Sequence, residues 1–178
     1  MRITVKRSFT KPLGRLVLML MTAAAITGCG SSSTPTEIWT WVSGSDVVGQ
    51  SGVYGTKGTA DGANVPGARY GSISWIDSSG DLWLFGGYGR DSAGTGGHLN
   101  DLWQFDGTNW TWVSGSNVVD QAGTYGVKGT ADAANVPGAR NYSISWLDGN
   151  GDLWLFGGDG YDSAGTEDTL NDLWRYQP

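Results

Sequence analysis

Asp81-Leu82-Trp83-Leu84-Phe85-Gly86-Gly87 decides how this chain is read, because it returns unchanged as Asp152-Leu153-Trp154-Leu155-Phe156-Gly157-Gly158. Side chains alternate across a strand, so Trp83 and Phe85 share one face while Leu82 and Leu84 share the other. A strand apolar on both faces has to be covered on both sides.

The repeat extends far beyond this strand. Trp39-Thr40-Trp41-Val42-Ser43-Gly44 becomes Trp110-Thr111-Trp112-Val113-Ser114-Gly115. Pro66-Gly67-Ala68-Arg69 becomes Pro137-Gly138-Ala139-Arg140, and Leu99-Asn100-Asp101-Leu102-Trp103 becomes Leu170-Asn171-Asp172-Leu173-Trp174. The offset is about 71 residues without a gap, and roughly seven positions in ten are identical, so the unit was duplicated.

Each unit carries four short runs rich in aromatic and β-branched residues, separated by Gly, Asp, Asn and Ser, which predicts four antiparallel strands. In the first unit they are expected at about 69–77, 81–87, 99–106 and 109–114. An orphan fourth strand is expected near Trp39, beside a final strand over 170–176. No stretch has a helical period. The expected fold class is all-β: two four-stranded antiparallel sheets.

The double glycine closing the second strand, the Asn-Asp-Leu-Trp-x-aromatic third strand and the Trp-rich fourth strand together resemble kelch repeats, over nearly all of the chain from Trp39 onward. The resemblance implies blades of a β-propeller. These units are longer than the usual kelch unit of about fifty residues, and propellers close with about four to eight blades. Two blades therefore imply either a longer protein or completion by other copies, a homotrimer giving a six-bladed ring. Galactose oxidase is an enzyme relative within that superfamily, with copper held by tyrosines and histidines. The single histidine here, His98, argues against that chemistry and against a nucleophilic triad, and no cofactor, metal or catalytic residue is expected.

The first residues read as export machinery. Arg2, Lys6, Arg7, Lys11 and Arg15 precede an apolar run from Leu16 to Ile26. That run is about eleven residues, short of the about twenty a spanning helix needs. Ile26-Thr27-Gly28-Cys29 resembles the bacterial lipobox, which implies lipidation of Cys29 and attachment to the envelope, with the outer membrane favoured by Gly30. The expected organisation is a signal peptide over 1–28, lipidated Cys29 and a flexible tether over 29–37, then units over 38–109 and 110–178. As Cys29 is the sole cysteine, intrachain disulfides are excluded.

Formal charge is −6, and losing the five basic signal residues leaves about −11. Such a surface repels nucleic acid backbones. Loop lengths point to one end of the sheets, since the connections over 77–80 and 106–109 are tight while those over 88–98 and 44–68 are long. Tyr88, Arg90, Asp91 and His98, with Asp159, Tyr161 and Asp162, are the candidate ligand contacts there; Tyr54, Lys57, Tyr125 and Lys128 share the same loops. The two copies differ most at these tips: Tyr88 against Asp159, Arg90 against Tyr161, and Gly96-Gly97-His98 against Glu167-Asp168-Thr169.

Rings that stack and polar groups that orient suit a carbohydrate or protein ligand, so a membrane-tethered binding module is expected. An envelope glycan-active enzyme using loop carboxylates such as Asp91 and Asp162 is the alternative, and an inactive fragment of a longer kelch lipoprotein the third reading. Arg69 and Arg140 are expected to anchor to Asp101 and Asp172, and Tyr54 and Tyr125 to pin their loops. Asp148-Gly149-Asn150-Gly151-Asp152 alternates oxygen donors like a calcium loop but lacks the glycine and distal acid, and is read as a hairpin turn.

Overall fold

Tight turns set the strand order. Asp77 Oδ1 accepts the backbone N–H groups of Ser79 and Asp81, and Asp106 Oδ1 accepts those of Thr108 and Asn109. Asp148 does the same for Asn150 and Asp152, which makes 148–152 a hairpin turn. The computed structural model describes residues 38–178, and the export signal, Cys29 and the tether expected over 1–37 lie outside them. No described helix is long and apolar enough to cross a membrane.

The described chain is all-β. The first sheet contains β1 (Arg69–Tyr70), β2 (Ile73–Ile76), β3 (Leu82–Arg90), β4 (Gly96–Phe105) and β5 (Trp110–Ser114). Both β1 and β2 pair with β3, as one edge strand interrupted at 71–72, and β3, β4 and β5 follow in order, all antiparallel. The second sheet repeats this as far as β4, with β6 (Arg140–Asn141), β7 (Ile144–Leu147), β8 (Leu153–Tyr161) and β9 (Glu167–Tyr176). Among the described residues no strand follows β9 as β5 follows β4, so the four strands expected in each sheet are present only in the first. Residues 38–42 belong to a unit apart from 43–178 and are irregular, with Trp39 fully exposed. Within one chain the strand expected near Trp39 is therefore not formed.

A second departure concerns the double glycine. It was expected to end the strand, leaving a long loop over 88–98. Instead Gly86 and Gly87 take φ of 63° and 101°, the ladder shifts register between Phe85 and Gly87, and β3 resumes as far as Arg90. Positive φ at both positions allows a bulge that bends the strand without ending it. Tyr88, Arg90, His98, Asp159 and Tyr161 consequently stand on strands, and the connection after β3 spans only 91–95.

The two sheets stack by unlike faces. Ile73, Trp75, Trp83, Phe85 and Leu102 of the first sheet form one core with Leu153, Leu155, Trp174 and Tyr176 of the second. The register assigns each set to one side of its sheet, since Ile73 and Leu102 both face Phe85 across the ladder, while Leu153 faces Tyr176 and Leu155 faces Trp174. Copies of both faces remain open. Phe85 is 5% exposed but its copy Phe156 is 39%, and Leu102 is 4% but Leu173 is 54%. Ile144 and Trp146 on the second sheet, and Ile76 and Leu82 on the first, are exposed in the same way.

A buried polar network ties each long loop to its sheet. Asp101 accepts both Arg69 guanidinium nitrogens at 2.6 and 2.7 Å, Tyr54 Oη at 2.6 Å and Trp103 Nε1 at 2.7 Å. Asp172 repeats the arrangement with Arg140, Tyr125 and Trp174. Four donors on two oxygens satisfy a carboxylate withdrawn from water. Burial alone would raise the Asp172 pKa, but the bonds from Arg140, Tyr125 and Trp174 hold it at about 2, while burial and Asp172 push Tyr125 up to about 12. The expected anchoring roles of Arg69, Arg140, Tyr54 and Tyr125 are observed.

Candidate functional site

Because the repeat is so close, the positions where the copies differ stand out, and several of them meet at one end of the sheets. His98 on β4 is the copy of Thr169, Asp159 on β8 of Tyr88, Glu167 at the start of β9 of Gly96, and Asp120 in the loop after β5 of Gly49. His98 is buried, and the carboxylates around it come from the other sheet and that loop. Nε2 lies 3.6 Å from Asp159 Oδ2, and Nδ1 lies 3.8 Å from both Asp120 Oδ1 and Glu167 Oε1.

Asp120 is held by the backbone of the residue it faces. His98 N–H donates to Asp120 Oδ1 at 2.8 Å, and Asp120 N–H donates to His98 O at 2.8 Å. Its φ is 61°, a left-handed conformation that the other copy fills with Gly49 at φ 70°. A non-glycine residue in that region is strained, and strain of this kind accumulates at sites whose surroundings require one side chain. The Gly97 Cα passes so close that a Cβ there would lie 2.6 Å from Asp120 Oδ1.

Aromatic rings enclose the imidazole. Tyr88 meets it edge-on at 5.2 Å and Tyr161 at 5.8 Å. Tyr161 Oη donates to Glu167 Oε2 at 3.1 Å, and desolvation, then Asp120 and Glu167, raise the Tyr161 pKa. Nε2 of His98 is buried with no hydrogen-bond partner, as is Oδ1 of Asn141, the residue opposite Asp159 on β6.

Beside this cluster runs a surface of tyrosines. Tyr70 stands 5.5 Å from Tyr88 and 6.3 Å from Tyr142, and Tyr70 and Tyr142 are exposed. Tyr70, Tyr88, Arg90 and Gly96 line a depression of about 330 Å³. A second depression of about 360 Å³ runs past Lys57, Ser116 and Gln121, but Lys57 already donates to Gly115 O at 2.7 Å and lies over Trp112.

Of the residues expected at the site, Tyr88, Arg90, His98, Asp159 and Tyr161 come together. Asp91 and Asp162 do different work: each Oδ1 accepts two backbone N–H groups of its own turn, from Ala93 and Thr95 or from Ala164 and Thr166. Tyr70, Asp120, Asn141 and Tyr142 were missed. Their only signal was divergence between copies, as they align with Asn141, Gly49, Tyr70 and Gly71. Neither protein-family models nor curated proteins yield a match to this chain.

Proposed function

We propose that the chain is a lipid-tethered, kelch-like β-propeller module that binds neutral carbohydrate at the tyrosine-rich end of its sheets. The observation that carries the ligand class is the row Tyr70, Tyr88 and Tyr142, two of them exposed, beside a depression and a ring of acceptors. Tyrosine offers an apolar face for sugar C–H groups and a polar tip for hydroxyls. Asp120, Asp159 and Glu167 accept hydroxyl donors and repel anionic glycans.

The stacking of unlike faces supports the propeller part of the reading. A face that buries Phe85 and Leu102 against the next sheet leaves its copy at Phe156 and Leu173 open, with the complementary face open at Leu82. Such head-to-tail contacts propagate until a ring closes. Three chains supply six sheets, the homotrimer expected from the repeat. In that ring the Trp39–Ser43 segment of one copy would pair with β9 of another, as β5 pairs with β4. Trp41 copies Trp112 and Trp174 copies Trp103, and Trp103 and Trp112 are Cα partners in the first sheet. Cys29 is the proposed lipid attachment; labelled fatty acid entering wild type and not Cys29→Ala would support it, and equal labelling would remove it.

The test of function is binding of the full chain to an array of neutral glycans, followed by calorimetry on the best ligand. Tyr70→Ala and Tyr142→Ala alter exposed rings, so folding is retained, and each is expected to weaken binding at least about fivefold, the order of one lost aromatic contact. Unchanged affinity in both variants contradicts the site. Glycan cleavage that disappears in Asp91→Asn or Asp162→Asn would replace the module with an enzyme.

A further inference from the structure

We propose that His98, Asp159 and Glu167 form a binding site for a divalent first-row transition cation, wedged between the two sheets. One donor atom from each of the three lies within 4.8 Å of the others. Carboxylates near a histidine are common on an acidic surface; the buried nitrogen is the separate observation. The His98 side chain is 5% exposed, and its Nε2 has no hydrogen-bond partner while aimed at Asp159 Oδ2. An unpaired imidazole nitrogen in the interior forfeits its hydration, a cost that a ligand at that atom would remove.

The separations argue for something between the groups. At 3.6 Å and 3.8 Å, the imidazole nitrogens lie too far from Asp159 and Glu167 for N–H···O bonds, which fall at about 2.7–3.2 Å. Two donors sharing one cation at about 2.1 Å from each stand roughly 3–3.6 Å apart in tetrahedral to octahedral geometry, so the Nε2–Asp159 pair already has that spacing. Glu167 Oε1 lies 3.8 Å from Nδ1, on the other ring nitrogen, so its side chain has to turn towards Nε2 to join the pair, and at the half-exposed first residue of β9 it has the room to do so.

One imidazole and two carboxylates make a mixed nitrogen and oxygen donor set, which suits Zn²⁺ or Mn²⁺ better than the all-oxygen cations Ca²⁺ and Mg²⁺. Asp120 stands beside the set, with Oδ1 fixed by the His98 backbone N–H and 3.8 Å from Nδ1. At that distance it lies beyond hydrogen-bond reach of the ring, so it adds negative charge beside the set and no bond to the imidazole. Since Asp159 and Glu167 are each about half exposed, three protein ligands leave a coordination position facing solvent. Every donor sits where the two copies differ, so the first repeat alone cannot assemble the set.

The test is calorimetric titration of the chelator-treated full chain with Zn²⁺ alone, together with the visible spectrum of the Co²⁺ form. The expected result is saturable binding of one equivalent per chain, with Co²⁺ d–d bands, weakened at least about tenfold in both Asp159→Asn and Glu167→Gln. These two side chains are half exposed, so their variants keep the fold even where His98→Gln does not. Absence of saturable binding, or binding unchanged in both carboxylate variants, would overturn the site.

Discussion

Replacing Asp101 with Asn keeps the shape of the side chain and removes its charge, which makes it a direct probe of the buried network. In the native protein two carboxylate oxygens accept four bonds of 2.6–2.7 Å from Arg69, Tyr54 and Trp103, with no solvent access to Asp101. An amide retains one acceptor and turns an NH₂ donor towards groups that all donate in the native protein, of which only the Tyr54 hydroxyl can accept instead. Arg69, itself almost wholly buried, is left without its counter-charge. Breaking a buried pair by one partner costs about 3–5 kcal/mol. Arg69→Met should cost a similar amount by stranding the carboxylate, whereas the double variant strands no charge. The cycle is therefore expected to show about 2 kcal/mol or more of coupling. The assay is urea unfolding of the full chain at fixed protein concentration, followed by tryptophan fluorescence. Additive single effects, or a cost below about 1 kcal/mol for Asp101→Asn, would refute the reasoning.

Two further outcomes follow from the same geometry. Asp172 has a folded pKa of about 2, below the ordinary carboxylate value of 3.8, so its contribution is fully present above about pH 4 and is lost as pH falls towards 2; allowing for its partial exposure this is about 1–2 kcal/mol, and Asp172→Asn should flatten that part of a urea-midpoint series. Gly86→Ala would force a Cβ to 2.8 Å from Arg140 O on the facing sheet, at a φ of 63°, so a loss of more than about 2 kcal/mol in urea unfolding is expected, and a neutral result would contradict the close approach of the sheets.

Much of the scaffold was legible because its signals are local. Alternation in Leu82–Phe85, turn-forming Asp77 and Asp106, and the pairing of Arg69 with Asp101 depend on residue types at fixed short spacing or on duplication. The extension of β3 to Arg90 was hidden because Gly-Gly reads equally as a stop or a bulge, and only pairing with β4 selects the bulge. For the same reason Asp91 and Asp162 looked like free carboxylates, although backbone N–H groups two and four residues on engage them. The cluster around His98 joins positions 98, 120, 159 and 167 through the packing of one sheet on the other, which no local pattern encodes. Loss of repeat identity at those positions was the single trace of it.

The head-to-tail stacking of sheets is tested most directly by the absolute mass of the full chain in solution, measured by light scattering after size exclusion, beside Leu173→Asp on the open face. The account predicts a discrete assembly of three chains for the wild type and its dissociation in the variant, since an aspartate there would be buried unpaired against the next sheet. A wild-type mass equal to one chain at every concentration, unchanged by Leu173→Asp, would contradict it.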